Sequence, residues 1–160
     1  MNYTSSNQAS IQVVPSRATH IGPIASRIRA IDRTECEAMG HSPKKALRDG
    51  FLYSDMCWTA LVDGRPEAMY GVITTSAIEG RAVVWFLGTD EVYRHGRALL
   101  ALGPRIIARL VDSIGTAGNL VSCQNRQAIT LLKRWGFTVE DEISVISGVA
   151  FRQFWIDRHV

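Results

Sequence analysis

No stretch of the sequence approaches the ~18 consecutive apolar residues of a membrane span. Cysteine is scarce: Cys36, Cys57 and Cys123 are odd in number and far apart, with no C-x-x-C pair and no Cys/His cluster. That spacing argues against a disulfide framework and against a resident metal, and leaves three reduced, mostly buried thiols. Basic charge is not concentrated either. The 18 Lys and Arg residues exceed the 15 Asp and Glu by a net +3, spread along the chain without the face or stripe that nucleic acid requires, so no nucleic-acid partner is expected. The first twenty residues lack the basic start and apolar run of a secretory leader, so synthesis in a cytoplasm without export is expected. What is there is ordinary globular composition, 46% hydrophobic and 21% charged over 160 residues, a length for one domain. Residues 1–10 are polar and read as a flexible segment, and residues 11–160 as the domain.

Along that domain the pattern alternates. "IQVVPS" (11–16) is a short strand stopped by Pro15. Ile21, Ile24, Ile28 and Ile31 recur at three- and four-residue steps, one face of a helix that ends near Gly40. Ser42 before Pro43 is an N-cap and first-turn signal for a second helix, closed by Gly50. Two β-rich runs in "CWTALVDGRPEAMYGVITT" meet at Asp63-Gly64, a hairpin dipeptide, and "GRAVVWFLGTD" is apolar enough for a strand covered on both faces. Leu99, Leu100, Ile106, Ile107, Leu110, Val111 and Ile114 follow at helical spacing, interrupted by Gly103-Pro104; the spacing favours a helix starting near Gly96 over one starting at Pro104. "GNLVSC", "NRQAITLLKRWGF", "ISVISG" and "VAFRQFWI" complete the order as strand, helix and a final strand pair. The expected architecture is an α/β (α+β) domain, a mixed central sheet of six to seven strands with helices on both faces.

That order, with Asn125, Ala128, Ile129, Leu131, Gly136 and Phe137 in register, resembles the GNAT superfamily of acetyl-CoA-dependent N-acetyltransferases. The resemblance implies two adjacent parallel strands that splay apart, at 82–88 and 119–123, with pantetheine in the gap. It makes acetyl-CoA the cofactor and places the backbone of Trp85, Phe86, Leu87 and Gly88 against it, with Asn125 at the start of the following helix. The capped helix alone is also what any strand-to-helix junction offers. Two departures stand out. The family cradles the diphosphate with a glycine-rich turn, whereas here only Gly96 of that turn is kept, Arg94 replaces a glycine and Glu91 replaces an arginine. Arg94 and Arg97 either grip phosphate by charge or are solvated arginines. The family's thiolate-protonating Tyr is matched by Leu132, which leaves Tyr93 as a substitute acid. Glu35 and Glu37 are candidate bases for an amine acceptor, or a solvated helix face.

The run "WFLGTDEV", the long helix after it, and Asn125 with "LLKRWGF" also resemble small internal virion or core proteins of short-tailed phages, over residues 25–155. That second resemblance implies a virion structural or assembly protein, internal or tail-associated, with a degenerate acetyl-CoA site and other virion proteins or itself as partners. It would be made in the host cytoplasm and incorporated in the particle. On this reading Phe151, Phe154 and Trp155 are core residues or, where exposed, an assembly surface. The alternatives are an active N-acetyltransferase acting on a protein or small amine, and a host-directed binding module.

Overall fold

Asp63 and Gly64 take the left-handed φ values of 49° and 81° that a two-residue hairpin turn needs, and the rest of the sheet is laid out from that hairpin. The computed structural model describes residues 10–157, so the flexible segment expected at 1–10 lies, Ser10 apart, outside the described residues. In chain order the elements are β1 (Ile11–Pro15), α1 (Ile21–Ser26), α2 (Ala30–Ala38), α3 (Pro43–Tyr53), β2 (Met56–Val62), β3 (Arg65–Ser76) and β4 (Arg81–Gly88). Then come α4 (Asp90–Arg94), α5 (Gly96–Ser113), β5 (Thr116–Ser122), α6 (Arg126–Arg134), β6 (Thr138–Ile146) and β7 (Val149–Asp157). The seven strands form one mixed sheet in the order β1-β2-β3-β4-β5-β7-β6. Every neighbouring pair is antiparallel except β4 and β5, which the α4–α5 crossover makes parallel.

Each face of the sheet has its own core. On one, Ile21, Ile24 and Ile28 join Leu47 of α3, Met69 of β3 and the half-buried Trp85 and Leu87 of β4. On the other, Leu110 of α5 joins Val72, Val84, Val121, Phe137 and Phe154, with Ile106 and Ile107 of α5 and Ala128, Ile129 and Leu132 of α6 packed against them. Fully buried side chains of this kind each contribute roughly 1.5–3 kcal/mol. Among the described residues no helix is long and apolar enough to cross a membrane.

One sequence expectation needs correction. The isoleucine face 21–31 does not lie on a single helix, because the chain breaks at 27–29 between α1 and α2. Ile28 pairs with Thr89 as an isolated antiparallel bridge, and Arg29 donates its N–H to the Gly88 carbonyl at 3.0 Å. Those residues are pulled into extended backbone by the end of β4. The helix that resumes buries Asp32 and Cys36, while Ile31 is only half-buried.

Gly103-Pro104 interrupts the apolar pattern of α5 but not the helix. Pro104 has no N–H, which deprives the Leu100 carbonyl of its helical donor. Trp135, closing α6, gives its indole N–H to that carbonyl at 3.3 Å. Gly103 leaves the ring room, since a Cβ there would stand 2.1 Å from Trp135 Cδ1. The pair is therefore a seat for Trp135 that fixes α6 against α5. In an unobstructed helix Gly→Ala stabilises by about 1 kcal/mol. Gly103→Ala is expected to have the opposite sign, a loss of roughly 1–3 kcal/mol from overpacking, read from urea midpoints; a gain in stability would refute the seat.

Candidate active site

Strands β4 and β5 pair only over Arg81–Val83 and Thr116–Gly118, and then diverge. The residue at the fork is Asn119. Its amide Nδ2 donates to the Val84 carbonyl at 3.0 Å, and its Oδ1 accepts from Leu120 N at 2.7 Å. An amide side chain thus stands where a ladder bond would be and holds the strands apart. Backbone groups along a strand alternate in direction. The Val84 carbonyl and the Gly88 N–H both point to the β5 side, so Phe86 between them points its N–H and C=O into the gap. A cavity of about 450 Å³ occupies the fork, lined by Val83–Leu87 from one strand and Asn119–Val121 from the other.

Helix α2 closes the open end of the fork with two carboxylates one turn apart. Asp32 Oδ2 accepts the Gly88 N–H at 3.0 Å, and Glu35 Oε1 accepts the Ser122 N–H at 2.9 Å. Each strand end is therefore capped by its own acid. Asn125 binds them to the next helix: it caps α6 through Ala128 N, and its Nδ2 donates to Glu35 Oε1 at 3.0 Å. Arg29, 4% exposed, is the cation of the group. Its guanidinium donates to Asp32 Oδ1, Asn125 Oδ1 and Gln127 Oε1, each at 3.1 Å, and lies 3.9 Å over the Tyr93 ring.

Burial sets the protonation behaviour of this cluster. It raises Asp32 to about 7, against the pull of Arg29 and the Gly88 amide. Glu35 is raised for the same reason, opposed by its bonds from Asn125 and Ser122. The Tyr93 hydroxyl is pushed above its ordinary value by burial, so it keeps its proton at neutral pH. Cys36 is raised to about 12 by burial and by the neighbouring Asp32 and Glu35, which makes it a packing thiol and not a nucleophile.

The residues expected from sequence divide clearly. Glu35, Tyr93, Asn125 and Leu132 all line the cavity, as do Trp85, Phe86 and Leu87 of β4. Trp85 turns its ring onto α3, where Gly50 makes room, and donates its indole N–H to Ser54 Oγ at 2.8 Å. Gly88 is not open to a ligand: Asp32 takes its N–H and the Arg29 amide takes its carbonyl. Glu37 lies outside the cavity, exposed on the outer side of α2 with Arg33 3.9 Å away. The turn expected to cradle phosphate is replaced by α4. Arg94 is exposed and engaged with Glu91 at 2.9 Å, while Gly96 and Arg97 are exposed on the first turn of α5, outside the cavity. Sequence reading missed Arg29, Asp32 and Asn119. A signal existed for two of them, because Arg29, Asp32 and Glu35 fall at three-residue steps beside an apolar helical face.

No protein-family model and no curated protein matches the sequence. The fold does match solved structures. A ribosomal-protein alanine N-acetyltransferase of Escherichia coli superposes with a TM-score of 0.65 at 16% identity, over 94% of this chain and 96% of that one. An acetyltransferase of the GNAT family from Streptococcus pneumoniae gives 0.64 at 11% identity, over 94% of this chain and 100% of the other. A ribosomal-protein α-N-acetyltransferase in complex with coenzyme A gives 0.64 at 9% identity, over 95% of both. The chain has the GNAT acetyltransferase fold.

Asp32 offers a direct test of the buried cluster. Its folded value of about 7 exceeds the ordinary 3.8, so the folded state holds a proton that the unfolded state has released between those limits. Stability contributed there falls as pH rises from about 4 to about 7 and levels off above. Relative to Asp32→Asn, the wild-type protein should lose stability across that window in denaturant titrations. Parallel profiles for the two proteins would show that Asp32 is not buried as described.

Proposed function

We propose that this protein is an acetyl-CoA-dependent N-acetyltransferase in which Glu35 is the general base. The observation that carries the reading is the fork between β4 and β5, propped by Asn119 and ending at Glu35. The fork suits a narrow, amide-bearing pantetheine arm. Its walls are largely apolar, and the N–H and C=O of Phe86 are backbone partners for that arm, with Ala128 and Leu132 of α6 opposite. The diphosphate end is served differently from the glycine-rich pattern, by the charge of Arg97 on the first turn of α5. Acetyl-CoA, when bound, supplies the acyl thioester.

The acceptor is read from charge. Among the described residues no Lys or Arg lines the cavity; Asp32 there is paired with Arg29 and Asp49 with Lys45, which leaves Glu35 as the carboxylate open to a cationic amine. An amine attacks only after losing a proton. Among the described residues both hydrogen bonds of Glu35 go to Oε1, so Oε2 is left for the amine N–H. Asn125 and the Ser122 amide fix the carboxylate while burial raises its proton affinity, the direction a base needs. The departing thiolate needs a proton in return. Leu132 has none to give, and Tyr93, which lines the same cavity and stays protonated, provides it.

A virion-assembly role, the first expectation from the second resemblance, has no support in the fold or in the neighbours named above. The aromatic residues that would have formed its surface are occupied: Phe151 is 1% exposed, Phe154 is buried, and Trp155 donates its indole N–H to Glu140 at 2.6 Å. Nothing favours a host-directed binding module.

Acetyl-CoA at a hundred times its Kd should add about 2.7 kcal/mol of stability, seen as a raised melting temperature. With an amine panel, Glu35→Gln should lower kcat by roughly a hundredfold or more while keeping that shift. An unchanged melting curve at millimolar acetyl-CoA, or full turnover by Glu35→Gln, would overturn the assignment.

A further inference from the structure

Five consecutive residues of β4, Val83–Leu87, line the cavity at the fork. Successive strand residues face opposite ways, so the cavity opens on both faces of the sheet. Val84 belongs to the core beside α5 and α6, whereas Trp85 and Leu87 belong to the core beside α1 and α3. The α6 side holds the pantetheine arm in the proposed reaction, on which this inference rests. The acceptor is left the chamber on the other side, walled by two helices. Asp32, Glu35 and Met39 reach it from α2 and its C-terminal cap, and Ala46, Gly50 and Tyr53 from α3. Both sets are spaced at three and four residues, one face of each helix. Trp85 is the floor, its ring against Gly50 and its indole N–H on Ser54.

Charge and apolar surface are unequally supplied there. Asp32 is paired with Arg29 and Asp49 with Lys45, so Glu35 is the carboxylate for a single ammonium group. A polyamine would bring further ammonium groups among apolar side chains without acids to meet them, and an unpaired buried charge is costly. A peptide amino terminus would bring backbone N–H and C=O groups that Met39, Ala46 and the Trp85 ring do not answer. Apolar surface is in excess. Met39 and Tyr53 line the cavity yet are 39% and 69% exposed, which places them at its mouth above Trp85. We propose that the acceptor is a small primary monoamine on an aromatic or bulky apolar body, with the amine at Glu35 and the body among Met39, Tyr53 and Trp85. Its nitrogen forms the amide bond as the thioester C–S bond breaks, one proton passing to Glu35 and the thiolate taking one from Tyr93.

Initial rates with acetyl-CoA and four acceptors separate the classes: 2-phenylethylamine, propylamine, spermidine and a peptide beginning with phenylalanine. The first should have the highest kcat/KM, roughly tenfold or more above each of the others. Tyr53→Ala, a change at an exposed position, should raise the KM for 2-phenylethylamine and narrow its lead over propylamine. A nuclear Overhauser contact between the ligand ring protons and the Trp85 indole, in the wild-type protein with coenzyme A, reads the placement without turnover. Spermidine or the peptide as best acceptor, equal use of propylamine, an unchanged KM in Tyr53→Ala or no such contact would each overturn the acceptor class. Turnover of any amine with the acetyl-CoA melting shift would uphold the transferase reading even then. Absence of both would remove that reading and this inference with it.

Discussion

Parting two neighbouring strands leaves backbone donors and acceptors without their ladder partners, and each one left buried and unmet costs about 1–3 kcal/mol. Everything distinctive in this protein follows from how those groups are met. The Asn119 amide answers the Val84 carbonyl at the fork. Asp32 and Glu35 answer the Gly88 and Ser122 amides at the open end. Among the described residues no buried side-chain nitrogen or oxygen is without a partner. The groups of Phe86 remain in the gap, where the proposed reading puts the pantetheine arm.

The caps bring charge into the interior, and an uncompensated buried charge costs several kcal/mol. Arg29 resolves this by touching α2, α4 and the start of α6 at once. Its amide also binds the Gly88 carbonyl, so the residue that neutralises the acids is fastened to the strand end they cap. Burial still leaves Asp32 and Glu35 with raised proton affinity. Capping strand ends and preparing a carboxylate to take a proton are therefore two results of one arrangement. The Trp135 seat on Gly103-Pro104 contributes from the other face, by fixing α6, and so Asn125 and Leu132, relative to α5.

Much of the architecture was legible in local pattern. Asp63-Gly64, the Ser42-Pro43 start, the apolar run of β4 and the Asn125 cap each act over a few residues. Each is found in place. The long helix from Gly96 was legible too, although its proline became intelligible only when Trp135 was found beside it. The break at 27–29 was not legible. The isoleucine spacing there is compatible with a continuous helix, and what breaks it is Thr89 and Gly88, some sixty residues away. The same limit applies to Glu35 and Glu37. They are two residues apart on one helix and chemically alike, and only the position of β5 makes one a buried cap and the other a solvent-facing acid.

The sequence by itself determined the strands, the long helix from Gly96, the hairpin and caps between elements, and the likeness of the fold, though not the split of the first helix or the short helix at Asp90–Arg94. Those depend on periodicity and on backbone preferences that operate within a turn or two of chain. Tertiary structure alone decided which charges are buried, where the strands part, and that a one-turn helix stands in place of a phosphate cradle. Burial and pairing depend on segments far apart in the chain meeting in space, and local pattern carries no record of which ones will meet.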